Sequence, residues 1–234
     1  MNLVTISNSS LIRIDMFKPH GFELKKKIAI ETVKQTIDYE LIHFLNQADV
    51  IIFQSKNAVR HLSLEFIPKK GMVFYTVGPF TGEILESRFN VKSTYPKTSY
   101  SSQTLYDECK LMNIGNKNIG IIKGLDGIDL LEDNLKENNN VKVLNTYKRQ
   151  PIKNFISESD MSLKVPNVFI SLSNTALDAL MSQTLKFKKN YRIFVIVPST
   201  RLVKKSPRNS VEKYFIWDQV NEVHGLINIL KEIK

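Results

Sequence analysis

One cysteine is all the 234-residue chain contains, so Cys109 has no internal partner for a disulfide. That suits a reducing compartment and excludes the disulfide frameworks of small secreted domains. Long apolar runs are missing too: no stretch reaches the roughly 18 residues that a membrane span needs. The amino terminus has a short apolar start that gives way to Asn8, Ser9 and Ser10, without a basic region, a sustained apolar core or a small-residue cleavage site, and predicts no secretory signal. A soluble, cytoplasmic protein is expected. The four histidines, His20, His43, His61 and His224, fall on different expected elements without an i, i+4 pair or accompanying cysteines, so no metal site is expected. A nucleophile elbow is absent. KGLDGID at 123–129 is superficially like a phosphate loop, but it lacks both the dinucleotide glycine pattern and the Walker lysine spacing.

Acidic charge is also short, with 23 Asp and Glu against 33 Lys and Arg, a net +10 that attracts anions. A nucleic-acid binder would gather its basic residues on one element with interleaved aromatics. Here they are scattered in pairs, Lys69 and Lys70, Lys188 and Lys189, Lys204 and Lys205, and the densest run, Lys25 to Lys27, is three long. Two explanations stay open: an acidic small-molecule substrate, or a composition that simply favours lysine.

What is present is ordinary globular composition, 42% hydrophobic and 24% charged, in a chain long enough for two small lobes. Short runs of Val, Ile and Phe alternate with polar turns and helical spacing, which predicts an α/β fold with parallel sheets covered by helices. Strands are expected at Leu3 to Ile6, Val50 to Phe53, Val73 to Val77, Ile119 to Ile122, Val168 to Ser171, Ile193 to Val197 and Tyr214 to Trp217. Ser55, Ser101 with Ser102, and Ser173 stand where a hydroxyl can cap a helix. Gly127 precedes an amphipathic helix expected over Ile128 to Leu135.

The sequence also echoes itself. VIIFQSKNAV at 50–59 matches VFISLSNTAL at 168–177, and VFYTVGPFT at 73–81 matches IFVIVPST at 193–200. Two matches at nearly equal separation predict two similar lobes. Residues 1–33 with 150–234 are expected to form a discontinuous first lobe and 38–144 the second, with hinge strands near 28–37 and 141–149 forming a two-stranded ladder.

Parallel strands that end in Ser or Gly-Pro-x-Thr present free helix-start amides where anions bind. The candidates are Ser55, Lys56 and Asn57; Gly78, Pro79 and Thr81; Ser173 and Asn174; and Ser199 and Thr200. Each is equally readable as an ordinary cap. Lys123 and Gly124 open a further turn that could meet a carboxylate. Tyr147, in NTYKRQP, reads as a structural strand aromatic.

In order, FQSKNAV, YTVGPFTGEIL, SYSSQTL, IGIIKGLDGIDLLEDNL, LNTYKRQP, FISLSNTALDAL and VPSTRLVKK resemble the uroporphyrinogen-III synthase family from about residue 50 to residue 205. The resemblance implies a monomeric, cofactor-free lyase that closes hydroxymethylbilane, a linear tetrapyrrole with eight carboxylates, with inversion of ring D. It places the family's tyrosine at Tyr147, its threonines at Thr81 and Thr200 and its strand-end serines at Ser55 and Ser173. Departures are Ile6 and Ser7 where an arginine is usual, Val197 in place of a glycine, and Ile128 where arginine is common. A non-catalytic two-lobe protein binding an acidic small molecule is the alternative.

Overall fold

The computed structural model describes residues 1–6, 12–36, 38–187, 191–204, 211–219 and 222–233. In chain order the first elements are β1 (Asn2–Thr5), β2 (Leu24–Lys26), β3 (Ile30–Lys34), α1 (Tyr39–Gln47), β4 (Val50–Phe53), α2 (Lys56–His61), β5 (Val73–Thr76), α3 (Pro79–Phe89) and α4 (Ser102–Glu108). Then come β6 (Asn118–Gly124), α5 (Leu130–Leu135), β7 (Asn140–Pro151), β8 (Asn167–Ile170), α6 (Asn174–Thr184), β9 (Ile193–Val197), α7 (Thr200–Lys204), β10 (Lys213–Ile216) and α8 (Val223–Glu232). Of the residues singled out in the sequence, Ser7, Asn8, Ser9, Ser10, Lys188, Lys189 and Lys205 lie outside the described set.

The chain divides into one unit of residues 1–31 with 150–234 and another of 32–149. In the first, the sheet order is β10-β9-β8-β1-β2 and every neighbouring pair is parallel. In the second, the order is β3-β7-β6-β4-β5, with the β5, β4, β6 and β7 neighbours parallel. The edge strand β3 runs the other way. Gln35 N–H donates to the Thr146 carbonyl and Ile152 N–H to the Ala29 carbonyl, both at 2.9 Å, so partner numbers fall on one strand as they rise on the other.

The apolar runs are buried because helices cover both faces of each sheet. Ile51 and Phe53 of β4 join Leu45 of α1, Val59 of α2 and Leu85 of α3 in one core cluster. Val50 and Ile52, pointing the opposite way, meet Leu105 of α4 and Leu131 and Leu135 of α5. The first unit repeats the arrangement. Val4, Phe169 and Val195 pack with Leu177 and Leu180 of α6, while Leu3, Val168 and Ile196 pack with Leu226 and Leu230 of α8.

The α/β class with parallel sheets and flanking helices is as the sequence predicts, but three details differ. Leu24–Lys26 forms a strand beside β1, where the sequence predicts none. An edge position explains it: Leu24 is buried and both lysines point into solvent. The helix expected over Ile128 to Leu135 starts only at Leu130, because the Gln54 side-chain amide holds the Ile128 carbonyl at 3.1 Å and the Asp129 carboxylate, at the cap position, takes Lys123 instead of a first-turn amide. The echo, finally, does not link equivalent strands. Leaving aside the antiparallel edge strand β3, the parallel strands of both sheets read second-first-third-fourth, with β10 a fifth in the discontinuous unit, yet the echo matches the first and second of one unit (β4, β5) to the third and fourth of the other (β8, β9). What recurs is the local unit of strand, serine cap and helix.

Candidate active site

Where the order of a parallel sheet reverses, consecutive crossovers leave on opposite faces and a crevice opens at the carboxyl ends of the strands. In the 32–149 unit this point lies between β4 and β6. The crossover after β4 begins with α2, packed on one face, and that after β6 contains α5, packed on the other. A cavity of about 330 Å³ sits there, with Gln54, Ser55, Gly124, Gly127, Tyr147 and Arg149 among the residues of its wall.

Tyr147 is delivered by an irregularity in β7. Lys123 pairs with Asn145, but Gly124 pairs with Tyr147, so Thr146 is an extra residue on its strand. The bulge turns Tyr147 toward the same cluster as Leu144, three residues away, and re-aims the phenol. Thr146 anchors the bulge by donating from its hydroxyl to the Ala58 carbonyl at 3.2 Å. The ring is 2% exposed. His61 stacks on it at 5.7 Å between centroids, and the Arg149 guanidinium lies 5.8 Å from its centre.

Around the phenol oxygen the chemistry is polar. Tyr147 Oη lies 3.0 Å from Ser55 Oγ and accepts from Arg149 Nη2 at 3.4 Å. Ser55 is the N-cap of α2 and accepts from the Ala58 N–H at 3.1 Å. Arg149 is held in turn by Asp126, Nη1 to Oδ2, at 2.9 Å. Gly124 makes room for the tyrosine, since a Cβ there would lie 2.7 Å from Cζ and 3.0 Å from Oη. Gly127 closes the turn, its N–H donating to the Gly124 carbonyl at 2.8 Å.

The remaining candidates divide by place. Lys56 and Asn57 form the first turn of α2, beside the cavity wall. Lys123 is buried, and its ammonium is paired with Asp129 and lies 3.8 Å from Glu132, so it serves the turn instead of facing the cavity. Gly78 and Pro79 open α3, and Thr81 is buried within it; none of the three lines this cavity. Gly78 acts on the wall from behind, because any Cβ would meet the ring of Tyr100 at 3.1 Å, and Tyr100 does line it. In the other unit Ser173 caps α6 by accepting from the Ala176 N–H at 3.2 Å, Asn174 begins that helix, and Ser199 and Thr200 stand at the start of α7. Ile128 is exposed on the cavity rim.

Gln54, Val77, Tyr100, Ser101, Ser102, Asp126, Gly127 and Arg149 line the cavity without having been site candidates. Each lies in a segment that carries the family resemblance, FQSKNAV, YTVGPFTGEIL, SYSSQTL, IGIIKGLDGIDLLEDNL or NTYKRQP, but nothing in those segments marked it as a wall residue. Among the described residues no group of three His, Cys, Asp or Glu side chains is placed to hold a metal ion, and no helix is long and apolar enough to cross a membrane.

The fold is shared with solved structures of low sequence identity. A uroporphyrinogen-III synthetase from Helicobacter pylori superposes with a TM-score of 0.59 at 14% identity, over 99% of this chain and 98% of that one. A mutant uroporphyrinogen III synthase from Thermus thermophilus gives 0.52 at 13%, covering 98% of each. No curated protein matches the sequence. The family model described as "Uroporphyrinogen-III synthase HemD" matches residues 27–206, well over half of the chain and all of the cavity wall. The chain therefore belongs to the uroporphyrinogen-III synthase family.

Proposed function

We propose that the chain closes hydroxymethylbilane to uroporphyrinogen III, with inversion of ring D and loss of water, and that the switch-point cavity around Tyr147 is where the hydroxyl departs. The observation that carries this placement is the Tyr147 phenol, hydrogen-bonded to Ser55 at 3.0 Å on the wall of the cavity. A cavity of about 330 Å³ suits one terminal pyrrole, not the whole bilane. The hydroxyls of Ser55, Ser101 and Ser102 and the Gln54 amide can reach its substituents.

The bilane closes unaided to the type I isomer, so the main work is to hold one reactive geometry, an orientation effect. Loss of the hydroxyl gives an azafulvene, which attacks the substituted position of ring D to form a spiro intermediate. Fragmentation and reclosure then yield the type III ring. A proton supplied to the departing oxygen assists the first step, and Tyr147 is the source. The net charge of +10 favours approach of an octacarboxylate. We further take Lys56, Asn57, Gly78, Pro79, Thr81, Gly124, Ser173, Asn174, Ser199 and Thr200 to assist carboxylate binding. Hydroxymethylbilane is the one partner, and the protein acts as a cytoplasmic monomer that uses no cofactor and binds neither nucleic acid nor membrane.

The test is to generate hydroxymethylbilane in situ, oxidise the products and separate the isomers chromatographically. Type III is expected to predominate. A product dominated by type I, as in the enzyme-free control, would refute the assignment.

A further inference from the structure

We infer that Ser55 hands the proton to the departing hydroxyl, with Tyr147 acting through it and Arg149 fixing the direction of transfer. The inference rests on the ring-closing function above. Tyr147 is 2% exposed, and its oxygen is hydrogen-bonded to Ser55 and Arg149. Ser55 is half-buried on the cavity wall. The substrate therefore meets the serine hydroxyl before it meets the phenol.

Hydrogen-bond polarity points the same way. Arginine has donors only, so at 3.4 Å Arg149 occupies a lone pair of Tyr147 Oη. The Ala58 N–H likewise can only donate, and at 3.1 Å it occupies one lone pair of Ser55 Oγ. Between the two hydroxyls, the phenol is intrinsically the stronger acid and the alkyl alcohol the better acceptor, so Tyr147 donates to Ser55. Both lone pairs of Ser55 Oγ are then engaged, and its own hydrogen is the group left to point into the cavity.

The step balances without oxidation. As the carbon–oxygen bond of the hydroxymethyl group breaks, the electron pair goes to the oxygen, which takes the Ser55 hydrogen and leaves as water. Ser55 Oγ takes the phenolic proton. The negative charge on Tyr147 Oη lies beside the Arg149 guanidinium, and the positive charge spreads over the azafulvenium. When the macrocycle finally recloses, the attacked pyrrole carbon loses its proton, which returns through Ser55 to the phenolate.

Turnover and isomer ratio of Ser55→Gly, Ser55→Asn, Ser55→Thr, Tyr147→Phe and the Ser55→Gly/Tyr147→Phe double variant test the relay. Glycine and asparagine both start helices well, so α2 is kept while the hydroxyl is lost. Ser55→Gly, Ser55→Asn and Tyr147→Phe are each expected to lower kcat by about 100-fold with KM within about 3-fold. Ser55→Thr is expected to stay within about 10-fold of the parent, and the double variant to be no slower than its slower single, because the residues act as one chain. Near-parental kcat in Ser55→Asn, or losses that multiply in the double variant, would overturn the relay while leaving the synthase reading intact. A parent protein that makes only type I overturns that reading itself.

Discussion

Gly124 is in contact with the chemistry without contributing a side chain to it. Its backbone is outside the left-handed region, so what position 124 requires is space: a methyl there would lie 2.7 to 3.0 Å from three atoms of the Tyr147 ring and hydroxyl. The tyrosine would have to retreat, breaking its geometry with Ser55. Gly124→Ala is expected to cost about 1–3 kcal/mol through overpacking. It should also slow turnover by roughly 100-fold if the phenol shifts by about 1 Å. Gly115, with nothing within 4 Å, gives the control, Gly115→Ala, which should change neither quantity. Steady-state assays and thermal melts decide it; parental turnover in Gly124→Ala would show that the phenol need not sit where it does. At this scale the sequence was partly legible. Ser55 and Tyr147 stand out because their motifs are local. Their hydrogen bond spans 92 residues, and the Asp126 to Arg149 pair spans 23, so no local pattern carries either. The bulge that aims the phenol is a property of pairing between two strands and leaves no mark on either alone.

Element boundaries were legible where a strand is buried on both faces, as at Val50–Phe53 and Ile193–Val197, because only apolar residues are tolerated there. They were not legible at Leu24–Lys26, whose single buried side chain leaves no periodicity to read, nor at α5, where a turn wins its first residues. Helix α2 behind Ser55 shows another effect hidden from sequence. Its carboxyl end is held by Arg88, which donates to the carbonyls of Val59, Arg60 and Leu62. At the same end His61 bonds Thr32 Oγ1 at 2.9 Å and stacks on Tyr147. Burial, then Lys34, Arg88 and Arg60, push its pKa below the ordinary 6.5. The native state thus disfavours the charged imidazole, and the unfolded chain binds more protons as pH falls. Stability from His61 is fully present above about pH 7.5 and is lost as pH drops through about 6.5 toward the depressed native value. Urea midpoints measured from pH 7.5 to 5.5 are expected to fall, and to fall less steeply in His61→Gln, which does not titrate but keeps a polar partner for Thr32. Equal slopes for the two proteins would remove His61 as the cause.

For the molecule as a whole, the α/β class was readable because strand, cap and helix recur along the chain, and that recurrence also made the echo look like a correspondence between lobes. The strand orders show why it misleads: every crossover in a second-first-third-fourth sheet imposes the same demands, an apolar strand, a hydroxyl cap and an apolar helix face. Any two such units come to resemble each other. Each unit nevertheless has its own core. Leu105 packs with Ile119, Ile121 and Leu131 inside 32–149, whereas Trp217 packs with Leu226 and Leu230 in the other unit and donates from its indole N–H to the Glu222 carbonyl at 3.1 Å. Trp217 is the single tryptophan of the chain, so its fluorescence reports on the discontinuous unit alone. Leu105→Ala removes a fully buried side chain and is expected to cost about 2–5 kcal/mol in the unit that holds it. Far-UV circular dichroism should then show an early transition at reduced denaturant while the tryptophan transition stays at its parental midpoint. Leu226→Ala should reverse the pattern, moving the tryptophan transition by a similar amount. If both probes move together in both variants, the units unfold as one cooperative body and their separate cores do not confer separate stabilities.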